Sequence, residues 1–189
     1  MSRWEPNAKG RLGQAALELF SERGFEQTTA AEIAHRAGLT ERTFFRHYLD
    51  KREVLFDGSS ALQALLVAAV AAAPGSVAAL DAVGAGLAAA GTVFDPSRRD
   101  QARRRQTVIA ATADLQEREL IKLASLARAL ADVLRSRGVT DRAATLAAET
   151  GIAVFKVAFA RWVDEAEHRD FPLLVRESLD ELRAVLTDG

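Results

Sequence analysis

Apolar residues return every three or four positions through almost all of this chain, and no stretch alternates Val, Ile, Thr and aromatics as a half-buried strand does. That spacing leaves each segment one apolar stripe, which only packing against other helices can bury. Leu12, Ala15, Ala16, Leu19 and Phe20 show it plainly, at i, i+3, i+4, i+7 and i+8. The expected fold class is all-α, with about nine helices in total.

Caps and breakers divide the pattern. Pro6 suits the first turn of an opening helix, and Gly24 the residue just past its end. Thr29 and Glu32 form a capping box for a second helix, which Gly38 stops, and Thr40 caps a third, from Glu41 to about Tyr48. Asp50 and Glu53 read as another box, opening one long fourth helix that ends before Pro74. The same reasoning expects helices at about 76–93, 95–112, 114–137, 141–168 and 171–186.

The 189 residues carry a net charge of −1, which announces no nucleic-acid partner. Cysteine is absent, so disulfides and cysteine chemistry are excluded, and a cytoplasmic chain is expected. Residues 1–10 contain no apolar core of a secretory signal. The apolar stretch at 61–73, which carries no charge, falls short of the roughly 18 residues a spanning helix needs. No membrane partner is therefore expected.

Two short helices joined by a glycine turn, with a third before them, form the helix-turn-helix pattern. Its second helix enters the major groove, and here that helix gathers Glu41, Arg42, Thr43, Phe45, Arg46 and His47, with Phe44 and Tyr48 on its inner face. Arg42 and Arg46 suit bidentate pairing with guanine. Lys51 could meet a phosphate as a point charge, and Arg3 and Lys9 could form a basic arm. On pattern alone, a structural helix corner and a DNA-binding one stand at even odds.

The stretch 12–55 tips that balance. It carries A-A-L-E-L-F with G-F, then T-T-x-x-E-I-A-x-x-A-G-L-T, then T-F-F-R-H-Y-x-x-K-x-x-L. In this it resembles the DNA-binding domain of the TetR (tetracycline-repressor-like) family. The resemblance implies that Thr29 caps the second helix and touches a phosphate, that Thr40 caps the recognition helix, and that Thr43, Phe45, Arg46 and His47 contact bases and phosphates. Lys51 matches the family's phosphate-binding lysine. Two positions depart from the pattern. Phe45 stands where the family usually has tyrosine, and loses a hydroxyl bond to phosphate; Gly13 replaces a larger apolar residue.

The resemblance also divides the chain into a DNA-binding domain, 1–55, and a helical effector-binding and dimerisation domain, 56–189. It implies a homodimer through the helices at about 141–168 and 171–186, matching a palindromic double-stranded operator. Candidate effector contacts are Phe94, Thr107, Ile109, Thr112, Phe155, Phe159 and Trp162, a set poor in polar groups that favours an apolar or amphipathic ligand. The Ala/Gly-rich fourth and fifth helices permit either close packing or room for a ligand. Arg98, Arg99, Arg103, Arg104 and Arg105 read first as an ion-paired face, and second as a site for an anionic ligand group.

The three histidines form no catalytic or metal-ligand spacing, and no HExxH, GxSxG or P-loop occurs, so neither an enzyme nor a cofactor is expected. The expected function is a sequence-specific transcriptional regulator, a repressor released by a small molecule. Alternatives are an activator or ligand-dependent DNA binder of the same fold, or a helical binding or scaffold protein whose helix-turn-helix no longer works.

Overall fold

Helical spacing and caps become nine α-helices, with no strand among the described residues; the computed structural model describes residues 7–164 and 166–187. They are α1 (Ala8–Arg23), α2 (Ala30–Arg36), α3 (Glu41–His47), α4 (Ser59–Ala72), α5 (Ala79–Ala89), α6 (Arg99–Ala110), α7 (Ala113–Ser136), α8 (Asp141–Val163) and α9 (Phe171–Thr187). Pro6 and Arg3 lie outside the described residues. Asn7 caps α1 instead, in a left-handed conformation, its side chain accepting from the Gly10 amide.

The chain divides into two units, one of residues 1–59 and 104–119, the other of 60–103 and 120–189. Both α6 and α7 contribute residues to each unit. In the first unit, Leu12, Leu19, Phe20, Ile33, Phe44 and Val54 form a core that Ile109 and Leu115 complete. Arg105 donates to the Leu55 carbonyl at 2.7 Å and lies over the Phe56 ring, while Arg118 pairs with Glu53.

The second unit packs α5 against α8 and α9. Its small residues serve close approach at the positions where they can be tested. A Cβ on Gly86 would lie 2.6 Å from Val70 Cγ2 and 3.2 Å from the Leu66 carbonyl oxygen, and one on Gly151 would lie 2.3 Å from Val83 Cγ1.

Two expected helices are corrected. The fourth is not one helix from Asp50: a 3-10 turn, Glu53–Phe56, precedes α4. Asp50 does not complete the expected box; its carboxylate accepts the Arg52 amide at 2.8 Å and grips the Arg52 guanidinium. The eighth ends at Val163, not His168, because arginines of α6 take the carbonyls beyond it. Arg103 donates to the Val163 carbonyl at 2.8 Å, and Arg99 to those of Glu167 and Arg169.

By length and composition, Glu53–Ala72 and Asp141–Val163 could cross a membrane, which the uncharged run alone did not suggest. The first is broken, and the 14 residues of α4 reach about 21 Å, short of the roughly 30 Å hydrocarbon core. The second, α8, buries Ala144, Ala148, Ile152, Phe155 and Trp162 in the core that it forms with α5 and α9.

Candidate nucleic-acid interface

The reading helix begins where Thr40 caps it, its hydroxyl accepting from the Thr43 amide at 3.2 Å and lying 3.0 Å from the Thr43 hydroxyl. The turn before it needs Gly38, at φ 68°, and Arg11 of α1 donates to the Ala37 carbonyl to hold that corner. One side of α3 is sealed by Phe44, whose ring stands 5.4 Å from that of Tyr48. Burial pushes the Tyr48 phenol well above its ordinary range, so it stays neutral.

The opposite side faces solvent. Arg42 and Arg46 are exposed, Phe45 is 51% exposed, and Thr43 and His47 are half-buried beside them. Exposed guanidinium groups and an exposed apolar ring on one short helix offer base-edge donors and a surface for a thymine methyl. Leu49, 89% exposed, was not among the expected contacts. It lies past the end of α3, where Tyr48 is already extended, so no helical spacing pointed to it.

Thr29 completes both halves of its capping box: its hydroxyl accepts from the Glu32 amide at 3.2 Å, and its own amide donates to the Glu32 carboxylate at 2.8 Å. That amide, with the Thr29 hydroxyl and Arg23, holds the Glu32 carboxyl below its usual range. The first turn of α2 thus already carries a carboxylate. Lys51, expected to meet a phosphate, is half-buried, and its ammonium donates to the Phe25 and Thr28 carbonyls at 2.8 and 3.1 Å. Lys9 pairs with Asp57 at 2.7 Å and does not belong to a free basic arm.

The expected effector contacts divide between the units. Phe94, Phe155, Phe159 and Trp162 meet in the second, the Phe94 ring lying 5.4 Å from those of Phe159 and Trp162 and 4.5 Å from that of Phe171, which sequence reasoning did not include. Thr107, Ile109 and Thr112 belong to the first. Ile109 is a fully buried core residue there, and Thr112 donates back to the Val108 carbonyl and borders a groove of about 310 Å³ beside Phe20 and Phe25. Of the arginine cluster, Arg99, Arg103 and Arg105 hold backbone carbonyls, and Arg98 and Arg104 are exposed.

Comparison with known proteins matches this geometry to a family. The profile of bacterial regulatory proteins of the tetR family matches residues 13–57, and that of the MftR C-terminal domain matches 77–187, more than half of the chain. A chain from Mycobacterium tuberculosis described as a mycofactocin biosynthesis transcriptional regulator, MftR, is 29% identical over 155 residues, 80% of this chain and 78% of that one. The HTH-type transcriptional regulator TcmR of Streptomyces glaucescens is 39% identical over 66 residues, 35% of this chain and 29% of its own. Among solved structures, NalD of Pseudomonas aeruginosa, the secondary repressor of the MexAB-OprM efflux pump, superposes with a TM-score of 0.61 at 16% identity, over 94% of each chain. FadR of Bacillus subtilis, solved with stearoyl-CoA, gives 0.61 at 16% identity, over 92% of this chain and 96% of that one. The chain belongs to the tetR family of bacterial regulatory proteins and is a DNA-binding transcriptional regulator, not an enzyme.

Proposed function

We propose that the protein is a homodimeric repressor, acting in the cytoplasm, that a small apolar or amphipathic effector releases from a palindromic operator. The observation that carries this is α3 itself, a short helix sealed on one side by Phe44 and exposing Arg42, Phe45 and Arg46 on the other. In this reading Arg42 and Arg46 read base edges, Phe45 lies against a thymine methyl, and Thr29, Thr40, Thr43 and His47 fix the module on backbone phosphates. Leu146 and Val157 of α8, with Val185 and Leu186 of α9, are large apolar side chains left exposed on helices expected to pair between protomers.

The effector would enter at the cluster of Phe94, Phe155, Phe159 and Trp162, and would favour a conformation that holds the two reading helices at another spacing. Operator affinity would fall by the difference in its binding energy between the two states. The FadR structure with stearoyl-CoA supports a long apolar effector on this fold. Selection of bound DNA from a random pool at moderate salt tests the reading. Enrichment of a palindrome is expected; no enrichment from a folded dimer overturns it.

A further inference from the structure

We propose that Arg99 and Trp162 form a carboxylate-binding site at the polar end of the aromatic cluster in the second unit, and that the Phe94 ring closes it. The proposal rests on the reading that the effector enters at this cluster. Trp162 is fully buried near the end of α8, yet its indole N–H has no hydrogen-bond partner among the described residues. The guanidinium of Arg99, at the start of α6, lies over its ring, 5.4 Å from the centre. Two nitrogens of Arg99 are committed, one to the Glu167 carbonyl and one to the Arg169 carbonyl at 2.7 Å, while its buried Nε–H is unpartnered as well.

A buried donor without an acceptor keeps the full cost of leaving water, so few persist in a folded chain. Here two such donors belong to side chains in contact, beside a wall of phenylalanine rings. A guanidinium carries five N–H groups, so Arg99 can hold the carbonyls beyond α8 and still donate from Nε. Its charge is also uncompensated: both partners are carbonyls, and no carboxylate pairs with it among the described residues.

These features decide the chemistry of the occupant. Rings alone would suit a quaternary ammonium, but the Arg99 cation already lies on the Trp162 face. A neutral ligand would cover the apolar wall and leave the charge uncompensated. A carboxylate offers two acceptor oxygens and meets both the charge and the donors. The occupant is therefore an amphipathic carboxylic acid, with its apolar body against Phe155 and Phe159. Phe94 stands between α5 and α6, outside both helices, and its ring lies 4.5 to 5.9 Å from those of Phe155, Phe159, Trp162 and Phe171. Because it is on a connection, it is the ring that a ligand displaces with least disturbance to the helices.

Isothermal titration calorimetry on the full chain, without DNA, compares three probes that share one chain: dodecanoate, methyl dodecanoate and dodecyltrimethylammonium. Dodecanoate is expected to bind at least about tenfold more tightly than the ester, the factor for hydrogen bonds to a charged group, and the ammonium most weakly. In Arg99→Gln the preference for acid over ester should vanish. Trp162→Phe keeps a ring and removes the donor, and should weaken dodecanoate about fivefold. Phe94→Ala should tighten it, since no ring then has to be displaced; weaker binding would make Phe94 a wall and overturn its closing role. Equal affinities for acid and ester, tightest binding of the ammonium, or no binding of any probe would overturn the site. Arg99 also holds the end of α8, so should Arg99→Gln not fold, Trp162→Phe decides: an unchanged affinity for dodecanoate overturns the site. Dodecanoate that binds with the expected preference but does not release the selected operator would instead count against the repressor reading, which keeps the two failures distinct.

Discussion

Phe45 projects from α3 with half its surface in solvent, and on the proposed reading a tyrosine there would add a phosphate hydrogen bond to the same ring. Restoring that hydroxyl with Phe45→Tyr should tighten operator binding by about fivefold, since a net hydrogen bond contributes about 1 kcal/mol. Equal affinities in a fluorescence-anisotropy titration would mean that the ring does not lie beside the DNA backbone. Arg42 and Arg46 call for a different readout, because their donors suit bases and phosphates alike. Alanine at a base-reading arginine should cost about 1–3 kcal/mol and relax preference at one operator position, whereas alanine at a phosphate contact weakens all sequences together. Repeating the DNA selection with each variant distinguishes these, and we expect relaxed preference for both. At this scale the sequence shows which side chains are suitable but not where each is committed. Lys51 was legible as a cation; its partners lie 26 and 23 residues away, beyond any local pattern. Arg11 is alike, since nothing in its own helix points to the Ala37 carbonyl.

Helices whose ends are set by their own residues were readable, and those ended by distant residues were not. The Thr29 box, the Thr40 cap and the left-handed Gly38 are local devices, and α2 and α3 lie within a residue of where those devices put them. By contrast α8 stops at Val163, where Arg103 and Arg99 take up carbonyls, some 60 and 70 residues from their own positions. The glycines of α5 were ambiguous for a related reason: a small residue looks the same whether it admits a helix or a ligand. Two substitutions turn that geometry into numbers. Gly86→Ala would place its Cβ against Val70 and the Leu66 carbonyl, and the overpacking cost of about 1–3 kcal/mol should exceed the roughly 1 kcal/mol gained in helix propensity. Gly13→Ala meets nothing within 4 Å and should raise the melting temperature by about 2–4 °C. Calorimetry that found Gly86→Ala as stable as Gly13→Ala would remove the close-packing account of α5. Acid should act on the segment after α8. Arg169 and nearby backbone amides hold the Glu167 carboxyl down at about 2, against an ordinary 4.5. A depressed carboxylate contributes its stabilisation above the unfolded value, so this contribution is complete above about pH 4.5 and is lost as pH falls toward 2. In paired pH melts, Glu167→Gln should be less stable than wild type near neutrality and indistinguishable from it at the acid end.

The whole molecule poses a question that its separate residues leave open, namely what covers the apolar side chains outside both cores. On α8, Leu146, Ala153, Val157 and Ala160 are exposed, at i, i+7, i+11 and i+14, a stripe interrupted only at Glu149 and Thr150 along a helix whose other face is buried. On α9, Val185 and Leu186 are 73% and 72% exposed in the last turns. Burying one such Leu or Val is favourable by about 1.5–3 kcal/mol, and a two-fold axis applies every gain twice. The same symmetry doubles any penalty, so a charge placed near the axis meets both an apolar surface and its own copy. Leu146→Glu combined with Val157→Glu should therefore convert the protein from dimer to monomer in light scattering at micromolar concentration. Leu120→Glu, on α7 and 61% exposed in the wild type, should leave the dimer intact, because it lies off that stripe. Function then follows from effective concentration. With one half-site bound, the second reading helix of a dimer sees its half-site at an effective concentration of order millimolar, an advantage of roughly 10²–10⁴ that a monomer forfeits. The α8 double variant should thus lose at least about a hundredfold in affinity for a palindrome while binding a single half-site as the wild type does. A dimer that survives both glutamates would shift the interface to another face and leave the stripe on α8 unexplained.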